Sequence, residues 1–352
     1  MILNKLFLDN FRCIKHAEFN INNKINLFTG INGSGKTSIF ESIQVLTTGK
    51  SFRSHKIENI KNYLSDSFTI ACRAEDEKNV LQLGLKKENK LNVRVNGKSI
   101  ERLSEITKKI PFIFFNSNSF DLIDGDPQYR RRFIDWWLFY SETEFHDEWL
   151  IYQRLLKQRN ACLRNSIDLI DIWDKALAES GEKINLYRNS ASEIIMREFY
   201  FINNADSKEF SWSYYSGWSK NEDLLSALVR NRKRDIQYGF TSIGPHRADI
   251  RISICNRDAK QYLSRGQKKI LSLSMLMALA SVHKKKMKKV PLFMLDDLAA
   301  ELDLTHRQEM LEKIIDLGGQ VFLTALEQKD LDLSSYQSLS TFMLKDGQVH
   351  ML

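Results

Sequence analysis

The spacing of apolar residues over the first hundred or so positions predicts short strands around one helix. Residues 39, 40, 43 and 46 are apolar at helical spacing, and an Asn96-Gly97 pair marks a turn after the last early strand. The segments with strand character are residues 6–8, 17–19, 25–29, 68–70, 80–85 and 91–95. Residues 110–115 form a continuous apolar run, which predicts a further, buried strand.

The pattern changes to a helical one after residue 124. Asp126 before Pro127 is a helix-start signal, and residues 129–201 contain no proline and one glycine, Gly181. Turn-rich character returns near residue 239, and the chain ends in a helix–strand–hairpin pattern. We therefore predict an α/β protein in which a mainly helical domain, residues 125–238, interrupts a discontinuous domain made of residues 1–124 and 239–352.

Composition narrows the class of protein. The chain has 352 residues, of which 43% are hydrophobic and 27% charged, as in globular proteins. Its formal net charge of +8 favours an anionic partner, nucleic acid before a membrane surface. The four cysteines and seven histidines are dispersed without metal-ligand spacing. The chain begins without the pattern of a signal peptide, and the apolar run 270–282 is too short to span a bilayer. These features predict a cytoplasmic location and no membrane partner.

One run follows the phosphate-binding pattern G-x-x-x-x-G-K-[ST] between the predicted strand 25–29 and the predicted helix. It reads Gly30-Ile31-Asn32-Gly33-Ser34-Gly35-Lys36-Thr37. Its glycines allow consecutive N–H groups to point at phosphate oxygens, and the following helix presents its N-terminus to the anion. Lys36 supplies a cation to the β- and γ-phosphates, and the Thr37 hydroxyl completes a Mg²⁺ shell. We predict that all eight residues bind a nucleoside triphosphate.

A second segment fits the acidic partner strand of such a loop. Residues 292–295 are apolar and are followed by Asp296 and Asp297. A buried strand holds the carboxylates at its C-terminal end rigidly beside the phosphates. Asp296 is predicted to hold Mg²⁺, and Asp297 is predicted to polarise the attacking water. Asp297 and the phosphate-binding Lys36 are therefore the predicted catalytic residues.

A third segment opens a long apolar helix that is predicted from about residue 270. It reads Ser264-Arg265-Gly266-Gln267 and offers a hydroxyl, backbone amides and a positive helix end to a phosphate. An N-cap at Ser264 would explain the same residues by local structure alone. Both interpretations stay open at the level of the sequence.

The order of these three segments, followed by Glu301-Leu302-Asp303, resembles the ABC-type ATPase head shared with SMC-like DNA-repair proteins. Within that group the chain is similar to the RecF family, and the likeness covers essentially its whole length. It is carried further by residues 10–12, 49–53, 127–136, 156–160 and 244–249.

The resemblance implies a specific function. Residues Ser264, Arg265, Gly266 and Gln267 would contact ATP held by a second copy, and Asp303 would lie at the seam of the resulting homodimer. RecF-like proteins bind DNA in an ATP-dependent way, hydrolyse ATP slowly and help mediator proteins load a recombinase at single-strand gaps. We therefore expect an ATP- and Mg²⁺-dependent DNA-binding protein of recombinational repair and replication restart. Its DNA partner would be single-stranded or gapped duplex DNA, bound without sequence preference.

Four positions depart from the transporter version of this head and favour a weak, slow ATPase. Arg265 replaces a common glycine, Thr324 stands in place of a switch histidine, Asp297 is shorter than the usual glutamate, and Asn116 replaces a glutamine. Two alternatives stay open. One is the nucleotide-binding subunit of an ABC transporter, and the other is a DNA-binding scaffold that does not hydrolyse ATP.

Basic and aromatic clusters allow more than one interpretation. The basic runs are residues 130–132, 230–234 and 284–289 without Met287. Each is either a solvated surface or a DNA contact, and Arg130 and Arg131 are also candidates for contacting nucleotide. The aromatic run 136–140 predicts core packing between the two domains rather than base stacking.

Overall fold

The computed structural model describes all residues except 78, 101–102, 166–167, 204–209 and 335, and for Ser104 the backbone alone. The chain divides into two compact units. Unit 1 comprises Met1–Asn118 and Lys289–Leu352, and unit 2 comprises Ser119–Lys288. Each unit has an apolar core of its own.

The elements are numbered here in chain order. The strands are β1 (Ile2–Phe11), β2 (Ile14–Asn20), β3 (Ile25–Thr29), β4 (Phe68–Glu75), β5 (Val80–Lys87), β6 (Leu91–Val95), β7 (Lys98–Ser99), β8 (Phe112–Phe115), β9 (Phe210–Tyr215), β10 (Asp249–Ile254), β11 (Arg257–Asp258), β12 (Leu292–Leu295), β13 (Val321–Ala325), β14 (Leu339–Lys345) and β15 (Gln348–Met351). The helices are α1 (Lys36–Thr48), α2 (Ser104–Thr107), α3 (Asp121–Asp124), α4 (Pro127–Ser141), α5 (Phe145–Asn165), α6 (Ile170–Asn203), α7 (Leu224–Tyr238), α8 (Ala259–Tyr262), α9 (Arg265–Met287), α10 (Leu298–Glu301) and α11 (Leu304–Asp316).

Unit 1 contains two six-stranded sheets. One has the order β15-β14-β3-β13-β12-β8, and its strands from β14 to β8 run parallel while β15 pairs antiparallel at the edge. The other, with the order β2-β1-β4-β5-β6-β7, is antiparallel. The predicted α/β class with mixed sheets and helices is confirmed.

The buried strands of unit 1 place the predicted site residues at one edge of the parallel sheet. Every residue of β3, β12 and β13 is buried, which explains why most residues of these strands are apolar. Helix α1 buries Ile39, Phe40 and Ile43 in the same apolar cluster. Because β3 and β12 run parallel within one sheet, the residues that follow them emerge at the same edge.

Unit 2 is mainly helical, with a three-stranded antiparallel sheet of order β11-β10-β9. Helix α6, 34 residues long, packs against α4, α5, α7 and α9. Trp137 and Leu138 of the aromatic run are buried in the core of this unit, as core packing requires. The sheet was not anticipated from the sequence, because β9 and β10 pair across a long separation that carries no hairpin-turn signal.

The predicted second domain boundary, after residue 238, does not match the packing. Residues 239–288 belong to unit 2, which ends at Lys288. The physical reason is helix α9, which buries Met275, Ala278 and Leu279 in the core of unit 2 together with Ile195 of α6. Helix α9 also begins at Arg265, earlier than the predicted residue 270.

Candidate nucleotide-binding site

The phosphate-binding loop joins the end of β3 to the start of α1 and has the backbone that its glycines allow. Gly30 has φ +146° and Gly35 has φ +112°, both in the region that disfavours side chains. A Cβ at Gly30 would lie 2.5 Å from the Leu344 carbonyl oxygen and 2.8 Å from Ser34 Oγ. Glycine is therefore required at residue 30 by both conformation and space.

Lys36 and Ser34 present polar atoms within this loop. Lys36 is 8% exposed, and its Nζ donates to the carbonyl oxygens of Gly30 at 2.5 Å and Ile31 at 3.2 Å. Burial lowers the pKa of Lys36, while the carboxylates of Asp297 and Asp296 act in the opposite direction. Ser34 Oγ is buried and has no hydrogen-bond partner within the described part of the chain. A buried, unpaired hydroxyl is unfavourable unless a ligand supplies its partner.

Asp296 lies at the end of β12 between two threonine hydroxyls. Thr37 Oγ1 donates to its two carboxylate oxygens at 3.1 and 3.3 Å, and Thr324 Oγ1 donates to Oδ1 at 2.7 Å. Burial raises the pKa of Asp296, although both hydroxyl hydrogen bonds lower it. The predicted neighbours Thr37 and Asp296 are therefore in direct contact.

Asp297 has an unusual backbone and a carboxyl group that retains protons more readily than usual. Its φ is +53°, which a non-glycine residue rarely adopts, and its N–H donates to Thr324 Oγ1 at 2.7 Å. Burial raises the pKa of Asp297, and the nearby cation of Lys36 opposes this. A raised pKa suits a group that must accept a proton from water.

Thr324 thus has a role that sequence reasoning missed. It stands on β13, between β3 and β12 in the sheet, and is fully buried. Its hydroxyl bridges Asp296 and the backbone of Asp297. Comparison with a switch histidine drew attention to this position, but no spacing signal could reveal the bridge.

Lys36, Thr37, Asp296, Asp297 and Thr324 line a cavity of about 560 Å³ in unit 1, a size that suits a nucleotide. Lining residues outside the predicted set include Arg12, Arg53, Lys61 and Tyr63. Arg12 is held by a bidentate ion pair with the fully buried Glu41, at 2.6 and 2.9 Å. The cavity wall therefore carries several cations, which fit a polyanionic ligand.

The residues present also fit a Mg²⁺ ion bound together with a triphosphate. Thr37 and Asp296 offer hard oxygen ligands at one point, and Mg²⁺ is commonly held by one or two such groups plus substrate phosphates. Within the described residues, no group of three or more His, Cys, Asp or Glu side chains could hold a metal by itself.

The residues predicted to act in trans lie elsewhere in the chain and have local partners. Ser264, in unit 2, caps α9 in a reciprocal pair with Gln267, at 3.3 Å and 2.9 Å. Arg265 and Gly266 are exposed, and the Arg265 guanidinium lies over the Phe120 ring. Asp303 caps α11 by accepting from the His306 N–H at 3.1 Å. The N-cap interpretation of Ser264 is confirmed, and the contacts in trans stay predictions.

Two of the basic runs are largely engaged within their own unit. Arg130 is 9% exposed and pairs with Asp249, while Arg131 donates to the Ala248 carbonyl oxygen at 2.7 Å. Lys285 pairs with Glu198 at 2.5 Å and Lys286 with Glu142 at 3.6 Å. The buried Arg130 pair commits that charge to the fold, whereas the pairs of Lys285 and Lys286 lie at the exposed surface and contribute little to stability.

A buried strand, a glycine-rich loop with Lys36 and Thr37, and a carboxylate pair two strands away in a parallel sheet define a P-loop nucleoside-triphosphate-binding protein. A family model described as RecF/RecN/SMC N terminal domain matches residues 2–349, and the chain therefore belongs to that family. The predicted resemblance is confirmed.

Individual relatives agree with this membership. The chain is 34% identical to the DNA replication and repair protein RecF of Teredinibacter turnerae, over 99% of this chain and 96% of the relative. It is 36% identical to the protein of the same name from a Shewanella species, over 93% and 92% of the two chains.

Solved structures show the same fold. One, described as the recombination mediator protein RecF-ATPrS in RecFOR pathway, has a TM-score of 0.87 at 25% identity and covers 99% of this chain and 98% of its own. A SmcHead bound to the C-winged helix domain of ScpA has a TM-score of 0.61 at 15% identity, covering 100% and 97%, which bears on the fold alone. In the described part of this chain, no helix has the length and apolar character needed to cross a membrane.

Proposed function

We propose that this protein is an ATP-switched DNA-binding protein of recombinational repair and replication restart. The observation that carries the proposal is the cavity of unit 1, which is lined by Lys36 of the phosphate-binding loop beside the Thr37–Asp296 pair. The names of its relatives, DNA replication and repair protein RecF, support the repair role. Two similar solved proteins are described with ATPrS and with ATP, which supports ATP as the ligand. A protein acting on the chromosome would work in the cytoplasm.

In this proposal each residue of the cavity has a defined task. The loop amides and Lys36 bind and orient the β- and γ-phosphates, and Thr37 with Asp296 holds Mg²⁺. Mg²⁺, when bound, neutralises charge on the phosphate oxygens. Thr324 keeps Asp296 and the backbone of Asp297 in place. Asp297 orients the attacking water and accepts its proton, which its raised pKa favours.

The nucleotide would act as a link between two copies. Ser264, Arg265, Gly266 and Gln267 of one copy would contact the γ-phosphate held by the other, and Asp303 would lie at the twofold seam. The exposure of Arg265, Gly266 and Gln267 at the positive end of a 23-residue helix supports this arrangement. Dimerisation would hold single-stranded or gapped DNA, and slow hydrolysis would release it. Mediator proteins that load a recombinase would be the further partners.

Slow turnover is supported by the position that a histidine commonly occupies in transporter heads. Thr324 is fully buried and its hydroxyl is engaged with Asp296 and Asp297. A short, engaged side chain is poorly placed to reach a γ-phosphate. We therefore expect a weak ATPase whose rate rises on dimerisation.

The test measures molecular mass and DNA binding in the same samples, with ATP, with ADP and without nucleotide, across a salt series. We expect ATP alone to convert monomer to dimer and to increase affinity for single-stranded and gapped DNA, with a salt slope that reports phosphate contacts. A mass and an affinity that ATP leaves unchanged would refute the switch.

The Asp297→Asn variant separates an ATPase switch from a scaffold that does not hydrolyse ATP. We expect hydrolysis to fall about 100-fold or more while ATP-dependent dimerisation persists or is prolonged. If hydrolysis is unchanged, Asp297 is not the proton acceptor. If the wild type does not hydrolyse ATP at all, a DNA-binding scaffold is the better description. If it does not bind DNA, the result would favour the nucleotide-binding subunit of a transporter.

A further inference from the structure

Four exposed side chains at the end of helix α7 form a continuous row in unit 2. We name Arg234, Tyr238, Phe240 and Arg247 the arginine–aromatic row. Tyr238 is 56% exposed and Phe240 is 40% exposed, and both arginines are exposed. Large aromatic rings with this much exposure need a physical explanation, because burial would be favourable for each of them.

The members of the row contact one another in sequence. The Arg234 guanidinium lies over the Tyr238 ring, 5.8 Å from its centroid, and the Arg247 guanidinium lies over the Phe240 ring at 5.6 Å. The two rings are 5.9 Å apart with an interplanar angle of 32°. The result is two adjacent rings, tilted only moderately from one another, with a cation at each end.

The row rests on a fixed backbone. Gly239, between the two aromatics, ends α7 with φ +70°, and its N–H donates to the Asp235 carbonyl oxygen at 2.8 Å. Arg164 donates to the Gly239 carbonyl oxygen at 3.1 Å. Thr241 is held by Asn160 and by the buried Arg159. A rigid platform loses little conformational freedom on binding.

The arginines of the row differ from neighbouring arginines of α7 in their ion pairing. Arg230 pairs with Glu222, and Arg232 pairs with Asp171 and Asp174. Among the described residues, no carboxylate lies within ion-pair distance of Arg234 or Arg247. The two arginines of the row therefore retain their full charge for a partner.

We propose that the arginine–aromatic row binds single-stranded DNA, with bases stacked on Tyr238 and Phe240 and phosphates bound by Arg234 and Arg247. Two adjacent flat rings flanked by unpaired cations offer stacking surfaces for bases and charges for the phosphates on either side, and stacking tolerates any sequence. An acidic peptide would use the cations but not the ring faces, and duplex DNA keeps its base faces stacked inside. This inference rests on the proposed function, because it identifies one surface through which the protein holds DNA.

The experiment compares two oligonucleotides of equal length and charge, a thymine strand and a strand with abasic sites. Binding of each to the full-length protein with ATP is measured by fluorescence anisotropy. We expect the wild type to prefer the thymine strand by about tenfold or more, since each stacked base contributes appreciably. The Tyr238→Ala/Phe240→Ala variant should lose this preference and bind the abasic strand as the wild type does.

Two further variants sharpen the assignment. Arg234→Gln/Arg247→Gln should weaken both strands alike and reduce the salt slope by about 0.7 for each phosphate that the variant no longer binds. Phe201→Ala is the matched control, because Phe201 is 74% exposed beneath Lys285, a lysine already paired with Glu198. It should leave both affinities and the base preference unchanged.

Each outcome supports or overturns the inference. An unchanged base preference in the double alanine variant overturns it while leaving the proposed function intact. A wild type without affinity for single strands overturns the inference alone if it binds gapped duplex DNA, and overturns both if it binds neither. Equal losses for duplex and single strands would indicate an electrostatic contact without stacking, and competition by an acidic peptide would indicate a protein partner; either overturns the inference. Photocross-linking of a bromouracil strand to residues 238–240 in the wild type supports it without relying on the folding of a variant.

Discussion

The cavity of unit 1 and the interior of unit 2 both concentrate charged residues from prominent motifs, yet they use them differently. In the cavity, Lys36, Thr37 and Asp297 line space that a ligand can fill. In unit 2, Arg159 and Arg188 are fully buried and bonded to carboxylates of their own chain. The charged groups of a motif therefore need polar partners, and their place in the fold decides whether a ligand or the protein's own side chains supply them.

The interior of unit 2 contains two groups of such residues, one around Arg159 and one around Arg188. Arg159 pairs with Asp174 and Asp235, and Arg188 pairs with Asp135. Arg188 also donates to the Pro245 carbonyl oxygen at 2.6 Å. Segments 127–136, 156–160 and 244–249 carry the family resemblance in sequence. In the structure they supply hydrogen bonds and ion pairs that hold the loop after α7 in place.

The largest change in stability should come from breaking the ion pairs of Arg159. Arg159→Ala leaves Asp235 buried without its cation and leaves Asp174 with Arg232 alone, which should lower the free energy of unfolding by about 3–5 kcal/mol. Urea denaturation followed by circular dichroism measures it. Arg154→Ala, an exposed position on the same helix α5, is the control and should change stability by about 0.5 kcal/mol or less. A reduction below about 1 kcal/mol for Arg159→Ala would contradict the structural role.

In the cavity, by contrast, a substitution should weaken ligand binding and leave stability almost unchanged. Lys36→Ala should weaken ATP binding by about 10- to 100-fold, because a hydrogen bond to a charged group contributes about 1.5–3 kcal/mol. The unfolding free energy without nucleotide should hardly change, since, among the described residues, the Lys36 Nζ donates only to carbonyl oxygens of its own glycine-rich loop. Calorimetric titration and urea denaturation of one preparation give both values. Lys50→Ala, exposed just beyond α1, should alter neither.

A substitution of Thr324 should affect both stability and ligand binding, because its hydroxyl belongs to the fold and to the cavity. Thr324→Val removes the acceptor of the Asp297 N–H and a donor to Asp296, at a cost of about 1–3 kcal/mol in stability. Because Asp296 is also a proposed Mg²⁺ ligand, the Mg²⁺ dependence of ATP binding should shift to higher concentration. Thr324→Ser keeps the hydroxyl and should retain most of both properties. Normal Mg²⁺ dependence in the valine variant would mean that Thr324 serves the fold alone.

The smallest effect should be a pH dependence of the loop in unit 2. Burial, with smaller contributions from Arg247 and Arg131, lowers the pKa of His246 to about 4. Neutral His246 accepts from the Tyr152 hydroxyl at 2.7 Å and donates to the Thr241 carbonyl oxygen at 3.0 Å. Unfolded histidine takes up a proton below about pH 6.5, so stability falls as pH drops from there towards 4.

Between pH 6.5 and 5.5 this decrease should be about 1 kcal/mol from His246. Urea denaturation at the two pH values measures it. His246→Asn should remove this share and leave the contribution of His283, whose pKa burial also lowers to about 4, whereas His55→Gln, at an exposed position of unit 1, should preserve the full dependence. A dependence that is equally steep in the His246 variant would assign the effect to other groups.

Much of the site could be predicted because its signals are contiguous in the chain. The loop at residues 30–37, the strand β12 and the pair Asp296–Asp297 each lie in one short segment, where spacing and periodicity determine local structure. The N-cap pair of Ser264 and Gln267 is equally local. Elements paired across long separations, such as β9 with β10, carry no comparable signal.

By itself, therefore, the sequence determined the α/β class, the phosphate-binding loop and the carboxylates that face it. Only the tertiary structure decided that Thr324 bridges those carboxylates and that Arg12 lies at the cavity. It also decided that Arg130 is engaged internally while Arg247 is exposed beside Phe240. The physical reason is that burial and ion pairing depend on residues distant in the chain, which local spacing does not record.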